Sequence, residues 1–160
     1  IFGSGSIMNQ AIRASEILEK DFDISVDIWS ATNYKQLRTD ALNCQRHNML
    51  NPTKKKKLSY LEKTLKNEKG TFIAVSDNMK LVSDQIEKWV PGGLFSLGTD
   101  GFGRYDTREN LRRFFEVDAE CIVIAVLYQL SEKKKISADV VEAAINRLGV
   151  DTNKVFPQLV

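Results

Sequence analysis

The sequence has one histidine, two cysteines and three prolines in 160 residues. Each scarcity excludes something. Cys44 and Cys121 lie far apart and share a single histidine, His47, so sequence alone assembles no zinc set. The two thiols make one pair at most. Cys121 opens an apolar run, which predicts a buried, reduced side chain and a cytoplasmic setting. No apolar stretch is long enough to span a bilayer, and the start is not signal-like. The net charge is +2, so no global field points to nucleic acid or to a membrane surface. Internal repeats and low-complexity linkers are absent. What remains is 42% hydrophobic and 28% charged residues, an ordinary soluble composition. One domain of this length buries about two thirds of its unfolded surface.

Four short apolar segments read as strands: the tail Ile1-Phe2, Ile24 to Trp29, Thr71 to Val75 and Leu94 to Leu97. The second alternates only in part, as it does when both faces are covered. Helical periodicity fills the intervals. A helix is expected over about Ile7 to Lys20, capped by Ser6, with Ala11, Ala14 and Leu18 on one face. The next is capped by Thr32 or Asn33 and ends near Asn43. Gln45 to Lys57 reads as an exposed excursion. Ser59 to Lys66 is a short helix with Tyr60, Leu61 and Leu65 inward. Asn78 to Trp89 follows, with Leu81, Val82, Gln85 and Ile86 near its inner face. Ala119 to Glu132 fits a buried helix, although Cys121 to Leu127 has high strand propensity. The last helix, about Ala138 to Leu148, begins after Ser137, turns Val140, Val141, Ala144, Ile145 and Leu148 inward, and stops at Gly149. Alternation with short loops predicts an α/β fold: a mainly parallel sheet with helices on both faces.

The least ordinary stretch is Leu94 to Asp118. A strand gives way to a loop with three glycines, and a helix follows. Asp106 is placed to cap that helix, with Glu109 reaching back as in a capping box. Leu111, Phe114 and Phe115 define an apolar side; Arg108, Arg112 and Arg113 define a wet one. In an open parallel sheet this loop lies at the carboxyl end of the strands, where such folds place ligands. Its polar residues, Thr99, Asp100, Arg104, Tyr105 and Asp106, are the set expected to face a ligand or a neighbouring subunit. The alternative is structural, with Gly101 and Gly103 permitting a reversal while Asp100, Arg104 and Asp106 hydrogen-bond locally.

The other candidates are weaker. Gly3 to Ser6 opens a helix and could cradle a phosphate. However, it lacks the third glycine of the dinucleotide fingerprint, and no acidic residue closes the second strand. His47 needs an orienting carboxylate, and Asp40 is the nearest along the chain. Lys54 to Lys57 reads as a solvated run, or as a contact for an acidic partner.

The run GTDGFGRYDTRENLRRFFEVD, Gly98 to Asp118, resembles a signature of the homodimeric-type pyruvate dehydrogenases. GSGSI at Gly3, NML–NP at Asn48 to Pro52, SDNMK at Ser76 to Lys80 and the closing VFPQLV resemble counterparts in order. The resemblance implies the C-terminal domain of a longer enzyme in the transketolase superfamily. That domain is a three-layer α/β/α unit with about five strands, one possibly antiparallel; Cys121 to Leu127 is the candidate for that strand. It further implies that residues 1–160 are one domain excised from the parent, with Ile1-Phe2 the end of an incomplete strand. The implied parent decarboxylates pyruvate on thiamine diphosphate with magnesium and passes the acetyl unit to lipoyl groups. Implied partners are the remaining domains of the parent chain, the second subunit of a homodimer and the dihydrolipoyl acetyltransferase component. By the same resemblance, catalytic, cofactor-binding and metal residues lie in other domains, and this piece is inactive alone. The pattern would place a tryptophan at His47 and a histidine near Asn51, so no role carries over to either. Two other functions stay open on the residues: a regulatory small-molecule or nucleotide-binding domain, and an interaction module built on the lysine run.

Overall fold

The computed structural model describes residues 1–160. Its elements run β1 (Phe2–Gly3), α1 (Met8–Phe22), β2 (Trp29–Ser30), α2 (Tyr34–Leu50), α3 (Tyr60–Leu65), β3 (Ile73–Val75) and α4 (Leu81–Asp84). They continue with β4 (Phe95–Leu97), α5 (Arg108–Phe114), α6 (Ala119–Glu132) and α7 (Ala138–Leu148). Short 3-10 turns cover Gly5–Ile7, Glu87–Trp89 and Pro157–Leu159.

The four strands form one sheet in the order β2-β1-β3-β4. All pairs are parallel, registered by Phe2 against Trp29, Phe2 against Ala74, and Ile73 against Phe95. Period-two alternation splits β3 between two cores. Ile73 and Val75 join Leu18, Ile122, Val123 and Leu127 under α1, α6 and α7. Ala74 joins Phe2, Tyr34, Leu61, Leu65 and Ile86 under α2 and α3. Helices therefore cover both faces, giving the expected three layers. No helix is long and apolar enough to cross a membrane.

Several expectations need correction. The sheet has four strands, not five, and none is antiparallel. Cys121 to Leu127 lies inside α6, where six of its seven residues are buried. A helix buried nearly all round carries no polar stripe, which is why its sequence also suits a strand. The second strand is shifted toward the C-terminus: ladder bonds run from Trp29 N–H to Ile1 C=O at 2.8 Å and from Ala31 N–H to Gly3 C=O at 2.9 Å. Ile24 and Val26 pack on the larger core without joining the ladder. Helix α2 runs past Asn43 to Leu50, stopping where Asn51 precedes Pro52 and the α region becomes costly. The irregular excursion therefore begins only at Asn51.

Tyr60 and Leu81 are exposed rather than inward. Each opens its helix, on a turn whose later residues, Leu61 and Leu65 in one and Ile86 beyond the other, reach the core. Gln85 is half-buried, its side chain donating to the Val82 carbonyl at 2.6 Å. In α7 Val141 and Ala144 are buried, whereas Val140 is exposed. Ser6 does not cap α1; its hydroxyl donates to Asp77 instead. Nor does Asp106 cap α5. Thr107 does, accepting from Asn110 N–H at 3.3 Å, one residue later than expected.

Candidate functional site at the carboxyl end of the sheet

The strand order switches sides between β1 and β3, which stay parallel, and the loops after β1, β3 and β4 meet above that point. Asp77 ties them together. Its Oδ2 accepts from the Ser6 hydroxyl at 3.1 Å, and its backbone carbonyl accepts from the Thr99 hydroxyl at 2.7 Å. Gly5 has φ +58, and its missing Cβ would stand 3.1 Å from Asp77 Oδ1. The acidic group thus crowds the first turn, where a bound phosphate would have to sit. The Gly3–Ser6 segment is a tight turn closed by a carboxylate.

Beside this junction lies a hollow of about 450 Å³. Its polar wall holds Ser6, Asp77, Thr99, Arg104, Asp106, Arg108 and Arg112; Leu111 and Phe115 are the half-buried part of its apolar floor. Of the five loop residues predicted to act together, Thr99, Arg104 and Asp106 line it. Asp100 turns the other way, accepting from Lys80 N–H at 3.2 Å with the Lys80 ammonium 3.9 Å from its second oxygen. Tyr105 projects fully into solvent. Arg104 lies with its guanidinium 4.4 Å from the centre of the Phe114 ring.

Asp106 accepts from Thr107 N–H at 2.6 Å and from the Asn110 amide at 2.8 Å. Those bonds, the Asn110 bond first, hold its carboxyl below the usual range, so it stays ionised at neutral pH. Arg112 donates to the Ser6 carbonyl at 3.3 Å. On the opposite side of α5, Arg113 pairs with Asp118 at 2.7 Å and Glu120 at 3.5 Å, and Arg13 pairs with Glu120 at 2.5 Å.

The C-terminal tail completes the site, and sequence reading left it irregular. Lys154 donates to the carbonyls of Arg113 at 2.9 Å and Phe114 at 2.8 Å, the last turn of α5, and pairs with Glu116 at 3.1 Å. Phe156 lies 5.2 Å below the Lys80 ammonium. Pro157 C=O sits against Gly101, whose φ of +107 and missing Cβ permit the contact. The only sequence signal for this was a cation at the right chemistry but forty residues away.

The remaining candidates scatter. His47 is on α2 with Lys57 and Lys54 as its charged neighbours; desolvation first, then those lysines, lower its pKa. Asp40 does not orient it, since its Oδ2 accepts from Tyr60 N–H at 2.6 Å. Cys44 is half-buried, and Cys121 is buried with its thiol pushed well up, by burial first and Asp118 second. Lys54 to Lys57 are all exposed, with the Lys57 backbone clasped by the Asn48 side chain in two bonds of 2.8 Å.

A family model described as the transketolase-like TK C-terminal domain matches residues 1–118. Over 158 residues, 98% of the chain, the sequence is 43% identical to the pyruvate dehydrogenase E1 component of Pseudomonas aeruginosa. It is 43% identical over 160 residues to that of Buchnera aphidicola and 40% to that of Escherichia coli, each covering 99% of the chain. In all three cases the chain spans 18% of the relative's length.

Proposed function

The chain belongs to the transketolase-like TK C-terminal domain family, and from that premise we propose that it is the C-terminal domain of a pyruvate dehydrogenase. The parent oxidatively decarboxylates pyruvate on thiamine diphosphate with magnesium and transfers the acetyl unit to lipoyl groups. The observation that carries this is the breadth of the likeness: 43% identity across 98% of the chain to a protein of that name.

The domain's own work is architectural. Reactive chemistry belongs to the parent's other domains, and this unit buries surface against them and against the second subunit of a cytoplasmic homodimer. Two observations support the division. First, His47 sits among lysines rather than carboxylates, the reverse of what a general base needs. Second, large apolar side chains stand in solvent on adjoining segments: Phe102 at 81% exposure, Leu159 at 78% and Leu81 at 69%, with Met79 and Tyr105 beside them in sequence. Lys80 joins these segments through Asp100 and Phe156. Exposed apolar side chains gathered this way mark an interaction surface. The Thr99–Asp106 loop belongs to that boundary, and the acetyltransferase component is a partner of the assembled parent.

Two measurements test the reading. Titrating the purified chain with thiamine diphosphate and magnesium in a calorimeter should give no saturable heat; micromolar binding overturns it. Replacing the matching segment of the Pseudomonas aeruginosa relative with this chain should leave a dimer that still transfers acetyl groups. A soluble, dimeric but inactive chimaera counts against the assignment.

A further inference from the structure

We infer that the hollow at the carboxyl end of the sheet binds a small organic anion, an oxyanion carried on a short apolar body. The inference does not rest on the parent-enzyme reading. It begins with an imbalance among the arginines. Arg13 and Arg113, on one side of α5, are neutralised by Asp118 and Glu120. Arg104, Arg108 and Arg112, which line the hollow, have no carboxylate partner. Arg104 spends only its flat face, on Phe114. Arg112 spends one N–H, on the Ser6 carbonyl. Arg108 makes no hydrogen bond or ion pair.

The spacing sharpens this. Arg108 and Arg112 are four apart on α5, so they face the same way and repel, and Arg104 approaches from the preceding loop. Like charges at that spacing destabilise a helix. An anion shared between them would reverse the sign of the interaction. The two acids in the wall do not serve. Asp77 Oδ2 accepts from Ser6, and Asp106 Oδ1 accepts from Thr107 and Asn110. Counting three arginines against these two aspartates, the hollow keeps a charge of +1. The Ser6 and Thr99 hydroxyls each donate inward to Asp77, leaving their oxygens as acceptors for a ligand hydroxyl.

Shape sets the rest of the ligand class. The neighbouring groove, about 650 Å³, shares Arg108 and Arg112 with the hollow, but it has no hydrophobic lining and holds the paired Asp118 and Glu120. The hollow has Leu111 and Phe115 in its floor, and its 450 Å³ lies toward the small end of ligand pockets. A bare inorganic ion would leave that floor uncovered; an extended nucleotide would have to displace Asp77 from the first turn. The site also lies where open parallel sheets gather ligands.

The test is calorimetric titration of the 160-residue chain at low ionic strength with three probes: phenyl phosphate, inorganic phosphate and phenol. Phenyl phosphate should saturate and bind at least about tenfold tighter than inorganic phosphate, while phenol gives no saturable heat. Arg108→Gln, at a side chain the fold does not use, should weaken phenyl phosphate about ten- to a hundredfold with a melting temperature no lower than that of the unaltered chain. Arg38→Gln, at an exposed arginine on α2 without an ion pair, should leave binding as it was. The proposal fails if phenyl phosphate gives no saturable heat. It fails equally if inorganic phosphate binds as well as phenyl phosphate, or if Arg108→Gln binds like the unaltered chain or no worse than Arg38→Gln.

Discussion

Replacing Lys154 by methionine removes one charge and keeps the stem, so it isolates what the ammonium contributes. That ammonium donates to two carbonyls at the end of α5, at 2.9 and 2.8 Å, and its side chain is 22% exposed. A hydrogen bond from a charged donor is worth about 1.5–3 kcal/mol net, and a cation at a helix C-terminus adds about 0.3–1 kcal/mol. Water can reach part of the vacated space, which recovers some of the loss. The third contact, Glu116 at 3.1 Å, is 40% exposed and is discounted to below about 1 kcal/mol. The expected net cost is about 2–3 kcal/mol, or about 4–12 °C in melting temperature for a chain of this size. Urea titration followed by circular dichroism measures it, with Lys55→Met, at an exposed lysine, as the comparison. Glu116→Gln should cost less than Lys154→Met, because the carbonyls rather than the carboxylate hold the ammonium. A loss below about 0.5 kcal/mol for Lys154→Met, the range of ordinary surface changes, refutes the idea that the tail is fastened at this point.

Other changes have equally definite outcomes. Gly101→Ala forces a Cβ toward the Pro157 carbonyl at a φ of +107; it should destabilise the chain by more than about 1 kcal/mol, read by the same titration, and speed proteolysis after Lys154. Lys134, with φ +55, closes α6 in a left-handed conformation. Lys134→Gly relieves the Cβ penalty and should raise stability by about 0.5–1 kcal/mol. Leu127→Ala empties a fully buried position and should cost about 2–5 kcal/mol. Thiol labelling at pH 8 should modify Cys44 in the native protein and Cys121 only after unfolding. Burial and the neighbouring Asp118 keep the Cys121 thiol protonated there, and the thiolate is the reactive form.

The layers of this fold were legible because they depend on periodicity, which is local. Ile73, Ala74 and Val75 form a compact apolar run, and the structure divides that run between two cores. Helix ends were less legible. Asn51 before Pro52 marked the true end of α2, but Asn43 offered an earlier stop. Helices α5 and α6 both end with a left-handed residue that is not glycine: Glu116 at φ +60 and Lys134 at φ +55. In each the following N–H reaches back five residues, from Val117 to Arg112 C=O at 3.0 Å and from Lys135 to Leu130 C=O at 2.9 Å. The sequence signal for that motif is glycine; only α7, ending at Gly149, carries it.

The site divides along the same line between local and distant causes. Loop composition located the carboxyl-end junction, because three glycines between a strand and a helix have few other uses. Which loop residues face the hollow was set elsewhere. Asp100 is drawn away from the hollow by Lys80, twenty residues upstream. Gly101 can take its backbone conformation beside Pro157 because Lys154 holds the tail over α5. Arg104 is the lining residue the tail reaches, since its guanidinium and the Lys154 ammonium both lie over the Phe114 ring, whereas Thr99 is held by Asp77 and Asp106 by Thr107 and Asn110. Loosening the tail by Lys154→Met should accordingly weaken the anion site without touching any residue that lines it, a coupling that calorimetry on that variant measures directly.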